Sequence, residues 1–304
     1  PDHARLGALR VSALNQTPAD PAPTKFFLPF ACDIEHMGAM VRAFLDCRET
    51  PRQLLLLLYG FSALGGAQPK CSFVSEDRPL SVAKFFGPEH PSWMPRAEVL
   101  FSTLALAAGL RTVQPRLLHP IDSPIVITSR FDRDQAGRRT PYLSARSMLL
   151  IRPADRVSWM DLLAQMRLYC NNFATDALEI WRRLLFGYLI GKSPVGVDDF
   201  GFLYAGLGKW QPAPACGFRP SVPGTQSTTA DSMQALAVPL DIESLMACAD
   251  QFGLTQAQAR VELRQQLDVL RTWKRRAVEF ACNMNHRDID QLAPIIDNID
   301  VRQA

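Results

Sequence analysis

The chain has 304 residues, 47% of them hydrophobic and 21% charged, and its 33 basic against 30 acidic residues leave a net charge of only +3. That is an ordinary globular balance, with length enough for a large core and for two domains or lobes, and it does not indicate a nucleic-acid binder that works by bulk charge. Seven cysteines, at 32, 47, 71, 170, 216, 248 and 282, form no CxxC pair and are odd in number, which argues against a zinc site or a disulfide framework and fits reduced thiols in a cytoplasmic protein.

No apolar run reaches the roughly 18 residues that span a bilayer, and no signal peptide is recognisable, so no membrane role is expected. The chain begins Pro-Asp-His without a Met, which reads as a processed, trimmed or incomplete N-terminus. Residues 5–11 read as a short strand, and 15–25 as a Pro-rich linker. Helices are expected over 33–45 and 51–59, the second opened by Thr50 as N-cap with Pro51 in its first turn and closed at Gly60.

A small-residue turn at 62–70 leads into a hairpin, Cys71-Ser-Phe-Val74 followed by Leu80-Ser-Val-Ala-Lys-Phe-Phe86. A glycine-rich turn lets backbone N–H groups approach phosphates, though a Gly-Gly pair alone equally marks a plain tight turn, and Lys84 alone a solvent-facing strand residue. The apolar spacing predicts a helix over 96–108 with Gly109 just beyond it. Glu98 near its start is either an acid favoured by the helix dipole or a partner for Lys84. Ile125-Val-Ile-Thr-Ser-Arg-Phe131 reads as a β-branched strand.

The remainder reads as mostly helical over 159–171, 174–190 and a broken stretch to 210. Within that stretch, Phe186 to Leu203 has the layout of a catalytic loop: an apolar helix end, a polar and acidic loop with Asp198 and Asp199, and an apolar strand at Gly201-Phe-Leu203. Residues 211–232 read as a mobile loop. A last long helix starts at the Thr255-Gln-Ala-Gln258 capping box and carries Leu263, Leu267, Leu270, Trp273, Ala277 and Phe280 as one apolar core stripe.

Taken together, Gly65-Gly-Ala-Gln-Pro-Lys70, Val82-Ala-Lys84-Phe85, Ala97-Glu98, Leu104-Ala-Leu-Ala-Ala-Gly109, Arg130-Phe-Asp-Arg133, Ser144-Ala-Arg-Ser-Met-Leu-Leu150, Trp181-Arg-Arg183, Phe186, Gly201-Phe-Leu203, Trp210, Pro214-Ala215, Phe252-Gly-Leu254 and Trp273 resemble the HipA family, the serine/threonine-kinase-like toxins of bacterial toxin–antitoxin modules. The order and spacing of these matches, more than any one of them, carry the resemblance over almost the whole chain. It implies an α+β, two-lobed HipA/protein-kinase-like fold: 1–30 a strand and linker left from an N-terminal subdomain, 31–135 a β-rich small lobe with one main helix, and 136–304 a large, mostly helical lobe.

The resemblance also implies a nucleotide site. Gly65, Gly66, Ala67, Gln68 and Lys70 would form the phosphate-covering loop, Lys84 would reach the phosphates of ATP, Glu98 would be its helix partner, and Ser129 to Phe131 the hinge that meets adenine. The catalytic half departs from the family. Its loop reads Asn-x-Asp-Asp/Gly-His-x-x-Asn, and an ungapped alignment sets Lys192 at the first Asn, Pro194 at the catalytic Asp, Gly196 at the His and Asp199 at the metal-binding Asn. The family's Pro-Ala-Tyr-Asp appears as Pro214-Ala-Cys-Gly217, so Gly217 replaces a second ligand of Mg²⁺. Asp199 remains as the candidate metal ligand, and Asp198 and Asp199 as candidate catalytic acids, the former through a gapped alignment. A proline accepts no proton from a substrate hydroxyl. The serine that relatives autophosphorylate falls on Ala63.

The resulting expectation is a pseudokinase that holds ATP and, at most weakly, Mg²⁺, and acts through partners: a helix-turn-helix antitoxin (HipB-like), through which alone DNA is met, a separately encoded N-terminal subdomain, or a second copy in a homodimer. Two alternatives stay open. One is an active serine/threonine kinase toxin with a rearranged site acting on a translation component. The other is a regulatory subunit that binds no nucleotide.

Overall fold

The computed structural model describes residues 4–10, 34–60, 64, 68–74, 80–118, 124–150, 158–192, 195–221, 241–279 and 281–297. The chain divides into two compact units, residues 1–95 with 115–142, and residues 96–114 with 143–304. The division does not follow chain order, because 96–114 groups with the C-terminal residues.

In the first unit, α1 (Ile34–Leu45) and α2 (Pro51–Gly60) precede a four-stranded sheet. Thr50 caps α2 as the sequence predicts, its hydroxyl accepting from the Gln53 N–H while Gln53 Oε1 accepts from the Thr50 N–H at 2.8 Å. The strands are β1 (Lys70–Phe73), β2 (Ser81–Lys84), β3 (Arg116–Leu118) and β4 (Ile125–Ser129), antiparallel and in the order β1-β2-β4-β3. One face of this sheet supplies Cys71, Phe73, Ala83, Phe85, Ile125 and Ile127 to a core closed by Ile34, Met37, Met40 and Val41 of α1 and Leu57 of α2. The expected hairpin and β-branched strand are present, and β3 is an addition that the sequence did not announce.

The strand expected at residues 5–11 does not form over its described part, 5–10. A node of buried side chains takes the place of a neighbouring strand. The Arg130 guanidinium donates to the Ala4 carbonyl at 2.7 Å and the Arg5 carbonyl at 2.9 Å, Arg133 donates to the Arg5 carbonyl at 2.9 Å, and the Gly7 N–H donates to Asp132 at 2.6 Å. With its backbone groups satisfied by side chains, the segment bends. Gly7 has φ +71°, and a Cβ there would lie 2.8 Å from the Tyr142 nitrogen, so only glycine fits the bend.

The second unit takes up α3 (Met94–Ala107) from Arg96 onward, with Gly109 beyond it at φ +82°. After β5 (Tyr142–Ser144) come α4 (Ala145–Met148), α5 (Trp159–Tyr169), α6 (Phe173–Leu189), a 3₁₀ turn (Val197–Asp199), β6 (Gly201–Gly206), β7 (Lys209–Pro212), α7 (Ile242–Ala247), a second 3₁₀ turn (Ala249–Phe252), α8 (Gln256–Leu270), α9 (Trp273–Ala277) and α10 (His286–Ile296). The α6 helix is the axis of this unit: it is packed by α5, α7 and α8, and its Trp181 is fully buried with the indole N–H donating to the Leu245 carbonyl at 3.2 Å.

Three sequence expectations change here. The stretch to 210 is a β-hairpin, with β6 paired to β7 in a sheet ordered β5-β6-β7. Residues 211–232, expected as a mobile loop, are tied down over their described part, since Ala213 N–H donates to the Gly201 carbonyl at 2.8 Å, Ala215 N–H to the Arg111 carbonyl at 2.8 Å, and Ser221 N–H to the Gly191 carbonyl at 3.1 Å. The last long helix is broken between α8 and α9, where the Thr272 N–H reaches Val269 at 3.0 Å instead of the residue four back and the Thr272 hydroxyl adds a second bond to the same carbonyl at 2.7 Å. The core stripe survives the break: Leu267, Leu270, Trp273 and Ala277 are buried and Leu263 is half-buried, while Phe280 lies outside the described residues.

Candidate functional site

Of the nucleotide-loop residues, Gly65, Gly66 and Ala67 lie outside the described residues. Gln68 donates from Nε2 to the Phe85 carbonyl at 3.3 Å, bracing the entry to β1 against the end of β2. The β1–β2 register sets Lys70 directly opposite Lys84, both half-buried. Side chains of directly opposed residues share a face, so both lysines stand on one side of the sheet. At the other end of β2, Ser129 is paired with Ser81, the Arg130 N–H donates to the Leu80 carbonyl at 3.1 Å, and the Phe131 ring lies 6.0 Å from that of Tyr142.

In the second unit, Glu98 sits on α3, buried, with its carboxylate 3.7 Å from the guanidinium of Arg219. The loop after α6 is built from its C-terminus. Gly191 adopts φ +72°, the left-handed residue that ends many helices, and Lys192 N–H closes the end on the Gly187 carbonyl at 2.9 Å. Beyond it, Val197 and Phe200 are buried, the latter with its ring edge-on to Trp159 at 5.1 Å. This anchoring delivers Asp199 to a fixed place.

There each oxygen of the Asp199 carboxylate accepts a hydrogen bond. Oδ1 accepts from Lys192 Nζ at 2.5 Å, and Oδ2 accepts from the Gly196 N–H at 2.9 Å. Pro194 lies outside the described residues, as does the side chain of Asp198. Gly217, at φ +71°, offers no side-chain oxygen. Beside these residues lies a small, partly open pocket with room for about one water, lined by Arg183, Lys192, Asp199, Cys216 and Phe218 among others.

These residues do not fit a Mg²⁺ ion. The divalent cation wants several oxygen ligands in a near-octahedral shell, commonly one or two carboxylates with substrate phosphates. Here the Asp199 carboxylate already faces an ammonium group, the aligned position of the second ligand is a glycine, and among the described residues no group of three His, Cys, Asp or Glu side chains is placed to hold a metal.

Below the pocket lies a charged network that the sequence reading missed. Arg183 donates to Glu179 at 2.7 Å and to the Arg111 carbonyl at 3.1 Å, Glu179 also accepts from the Arg111 N–H at 3.0 Å, and the Arg111 guanidinium donates to Asp176 at 2.9 Å. Burial pushes the Arg183 pKa down and that of Asp176 up, against the opposing pull of their partners. The signal for it was present as Asp176, Glu179 and Arg183, three charges on the inward face of an apolar helix. It fixes the floor of the pocket by joining α6 to the segment after α3.

The profile of the HipA-like C-terminal domain family matches residues 62–274 of the chain. A search of curated proteins found no match. Among solved structures, the chain is similar to the HipA of Shewanella oneidensis MR-1, determined in a complex of that toxin–antitoxin system with HipB and operator DNA, at 14% identity and TM-score 0.68, covering 99% of this chain and 76% of that one. It is also similar to the Helicobacter pylori proinflammatory kinase CtkA, at 13% identity and TM-score 0.56, covering 79% of this chain and 90% of that one. At such identities the structures establish the fold, α+β and kinase-like, while the family profile spans most of the chain: the protein belongs to the HipA-like C-terminal domain family.

Proposed function

We propose that this protein is a pseudokinase of its family, which holds a nucleotide, transfers no phosphate from it and acts through a protein partner. The observation that carries the reading is the state of Asp199. A general base must present a free carboxylate oxygen to the hydroxyl it deprotonates, and a metal ligand must present one to the cation. Each Asp199 oxygen already accepts a hydrogen bond, one from Lys192 and one from the Gly196 N–H, and the Lys192 ammonium balances its charge. With proline at 194 and glycine at 217, the aligned positions supply neither base nor second ligand. The rearranged active kinase, built on Asp198 or Asp199, would have to draw Asp199 out of its pair with Lys192.

Nucleotide binding is supported by Lys70 and Lys84 on one face of the first sheet, which provide for phosphates whether or not chemistry follows. The solved HipA relative sits with HipB on operator DNA. By that likeness, the partner of this chain is an antitoxin of the helix-turn-helix kind, and DNA is met through it, in keeping with a net charge of only +3. The test is transfer from radiolabelled ATP, with Mg²⁺, to the protein itself, to an antitoxin partner and to a bacterial lysate. No labelled protein is expected. Robust labelling that disappears in Lys84→Ala and persists in a variant of an exposed residue such as Arg264→Ala would reverse the reading.

A further inference from the structure

We propose that the turn after β4, residues 130–139, is a peptide-binding site that reads main chain in the pattern Ala-x-x-Gly, and that residues 4–10 fill it as a ligand which a separate peptide of that pattern can replace. The site lies within the first unit and is independent of the pseudokinase reading.

The receptor side is held in shape by its own bonds. The Arg130 guanidinium has five donors, and three of them are engaged close by, two on Asp132 at 2.8 and 2.6 Å and one on the Ser72 hydroxyl at 3.1 Å. A β-bridge joins Arg133 to Arg139 across the turn, the Asp134 N–H donates to the Arg138 carbonyl at 3.1 Å, and the Thr140 N–H donates to the Asp132 carbonyl at 3.0 Å. A planar guanidinium fixed in this way presents its remaining donors in a set direction. Those two donors meet main-chain carbonyls, of Ala4 at 2.7 Å and of Arg5 at 2.9 Å. Arg133 adds donors to the Arg5 carbonyl at 2.9 Å and the Gly7 carbonyl at 3.3 Å, and Asp132 accepts from the Gly7 N–H at 2.6 Å.

The ligand side contributes backbone and two small residues. Ala4 is fully buried, packed with Leu80 and Val74, while Leu9 is 81% exposed. Gly7 sets the register: its φ is +71°, and a Cβ there would lie 2.8 Å from the Tyr142 backbone nitrogen. Main-chain hydrogen bonds for affinity and a few side-chain positions for specificity are how short linear peptides are recognised. On the same chain such a ligand meets its site at an effective concentration of about millimolar, so a modest intrinsic affinity keeps the site filled and leaves it open to exchange.

The test keeps the full chain. A protease recognition sequence is inserted between Asp20 and Pro21 and cut after folding, circular dichroism confirms the fold, and uptake of a fluorescent peptide of residues 1–12 is followed by anisotropy. The cut protein is expected to take up the wild-type and Leu9→Ser peptides alike. It should bind the Gly7→Ala peptide at least about tenfold more weakly, through left-handed strain and the contact with Tyr142, and the Ala4→Phe peptide likewise, through overpacking. The uncut protein, whose own segment competes, should bind the wild-type peptide at least about tenfold more weakly than the cut one. Loss of the fold on cutting, no uptake by the cut protein, equal affinity for the wild-type and Gly7→Ala or Ala4→Phe peptides, or equal uptake by cut and uncut protein would each overturn the proposal.

Discussion

The most consequential single residues are buried charges, and they differ in sign. Asp132 is buried between Arg130 and Arg133, at 2.6 and 2.7 Å, and accepts from the Gly7 N–H as well. Desolvation pushes its pKa up, but the hydrogen bond and charge of Arg130, the charge of Arg133 and the Gly7 N–H outweigh it, and the net shift is downward. Removing it strands two buried guanidinium groups, so Asp132→Ala is expected to lower unfolding stability by about 3–5 kcal/mol in urea titration. Loss of Asp268, whose pair with Arg271 is open to solvent, should cost less than about 1 kcal/mol.

These shifts also fix a pH response. A carboxylate whose folded pKa lies below its unfolded value, about 3.9, contributes its full stability above that value and loses it as the pH falls through the folded pKa. Asp132 therefore makes the fold acid-sensitive. Asp176 runs the other way: burial raises its pKa beyond what the Arg111 hydrogen bond and charge recover, so its ionisation is a burden at neutral pH that acid relieves. Denaturation midpoints between about pH 3 and 6 should fall less steeply in Asp132→Asn than in the wild type, and more steeply in Asp176→Asn.

Among the elements, the β6–β7 hairpin shows what local chemistry alone leaves unsettled. Its turn sets Leu207 at φ +51° and Gly208 at φ +75°, the geometry of a two-residue hairpin turn that asparagine and glycine favour. Leucine is strained there, and at 99% exposure it gains nothing by packing. Leu207→Asn is expected to stabilise the protein by up to about 1 kcal/mol, read as a raised denaturation midpoint. At the start of α8, Thr255 caps through a complete capping box with Gln258, and Thr255→Ala should cost about 1 kcal/mol in the same measurement.

The elements most legible in sequence were those whose local signals agreed with their packing: α2 with its Thr50 cap, the β1–β2 hairpin, α3 ending at Gly109, and the buried stripe through Leu267, Leu270 and Trp273. The strand expected at 5–11 was not, because its backbone partners are the side chains of Arg130, Asp132 and Arg133, more than 120 residues away in sequence. Apolar residues between 201 and 212 do not distinguish a helix from a hairpin until the strained turn at Leu207 is seen. For the site, alignment with the family identified Lys192, Gly196 and Asp199 as departures, but nothing in spacing alone says that the first and last would pair. The Arg111, Asp176, Glu179 and Arg183 network is non-local in the same way, since Arg111 joins α6 from 65 residues upstream of Asp176.

For the whole molecule, the fold and the site give separate information. The family profile and the two solved relatives establish a kinase-like scaffold, and a scaffold does not confer activity. The site residues decide activity, and under the proposed alignment they are consistent: it sets a proline at the base position and a glycine at the second ligand position, and Asp199 is paired with Lys192. If the charge balance is complete without metal, EDTA should leave the melting temperature of the protein unchanged, as no divalent ion is there to be withdrawn.

The most direct measurement of the central claim rebuilds the missing chemistry. ATP-dependent phosphate transfer is compared between the wild-type chain and a variant carrying Lys192→Asn, Pro194→Asp, Gly196→His and Gly217→Asp, each folded by the same circular-dichroism criterion. A pseudokinase built as proposed shows no transfer as wild type and gains it in the rebuilt variant. Transfer by the wild type that depends on Asp198 or Asp199, at a rate equal to or above that of the variant, would contradict the account.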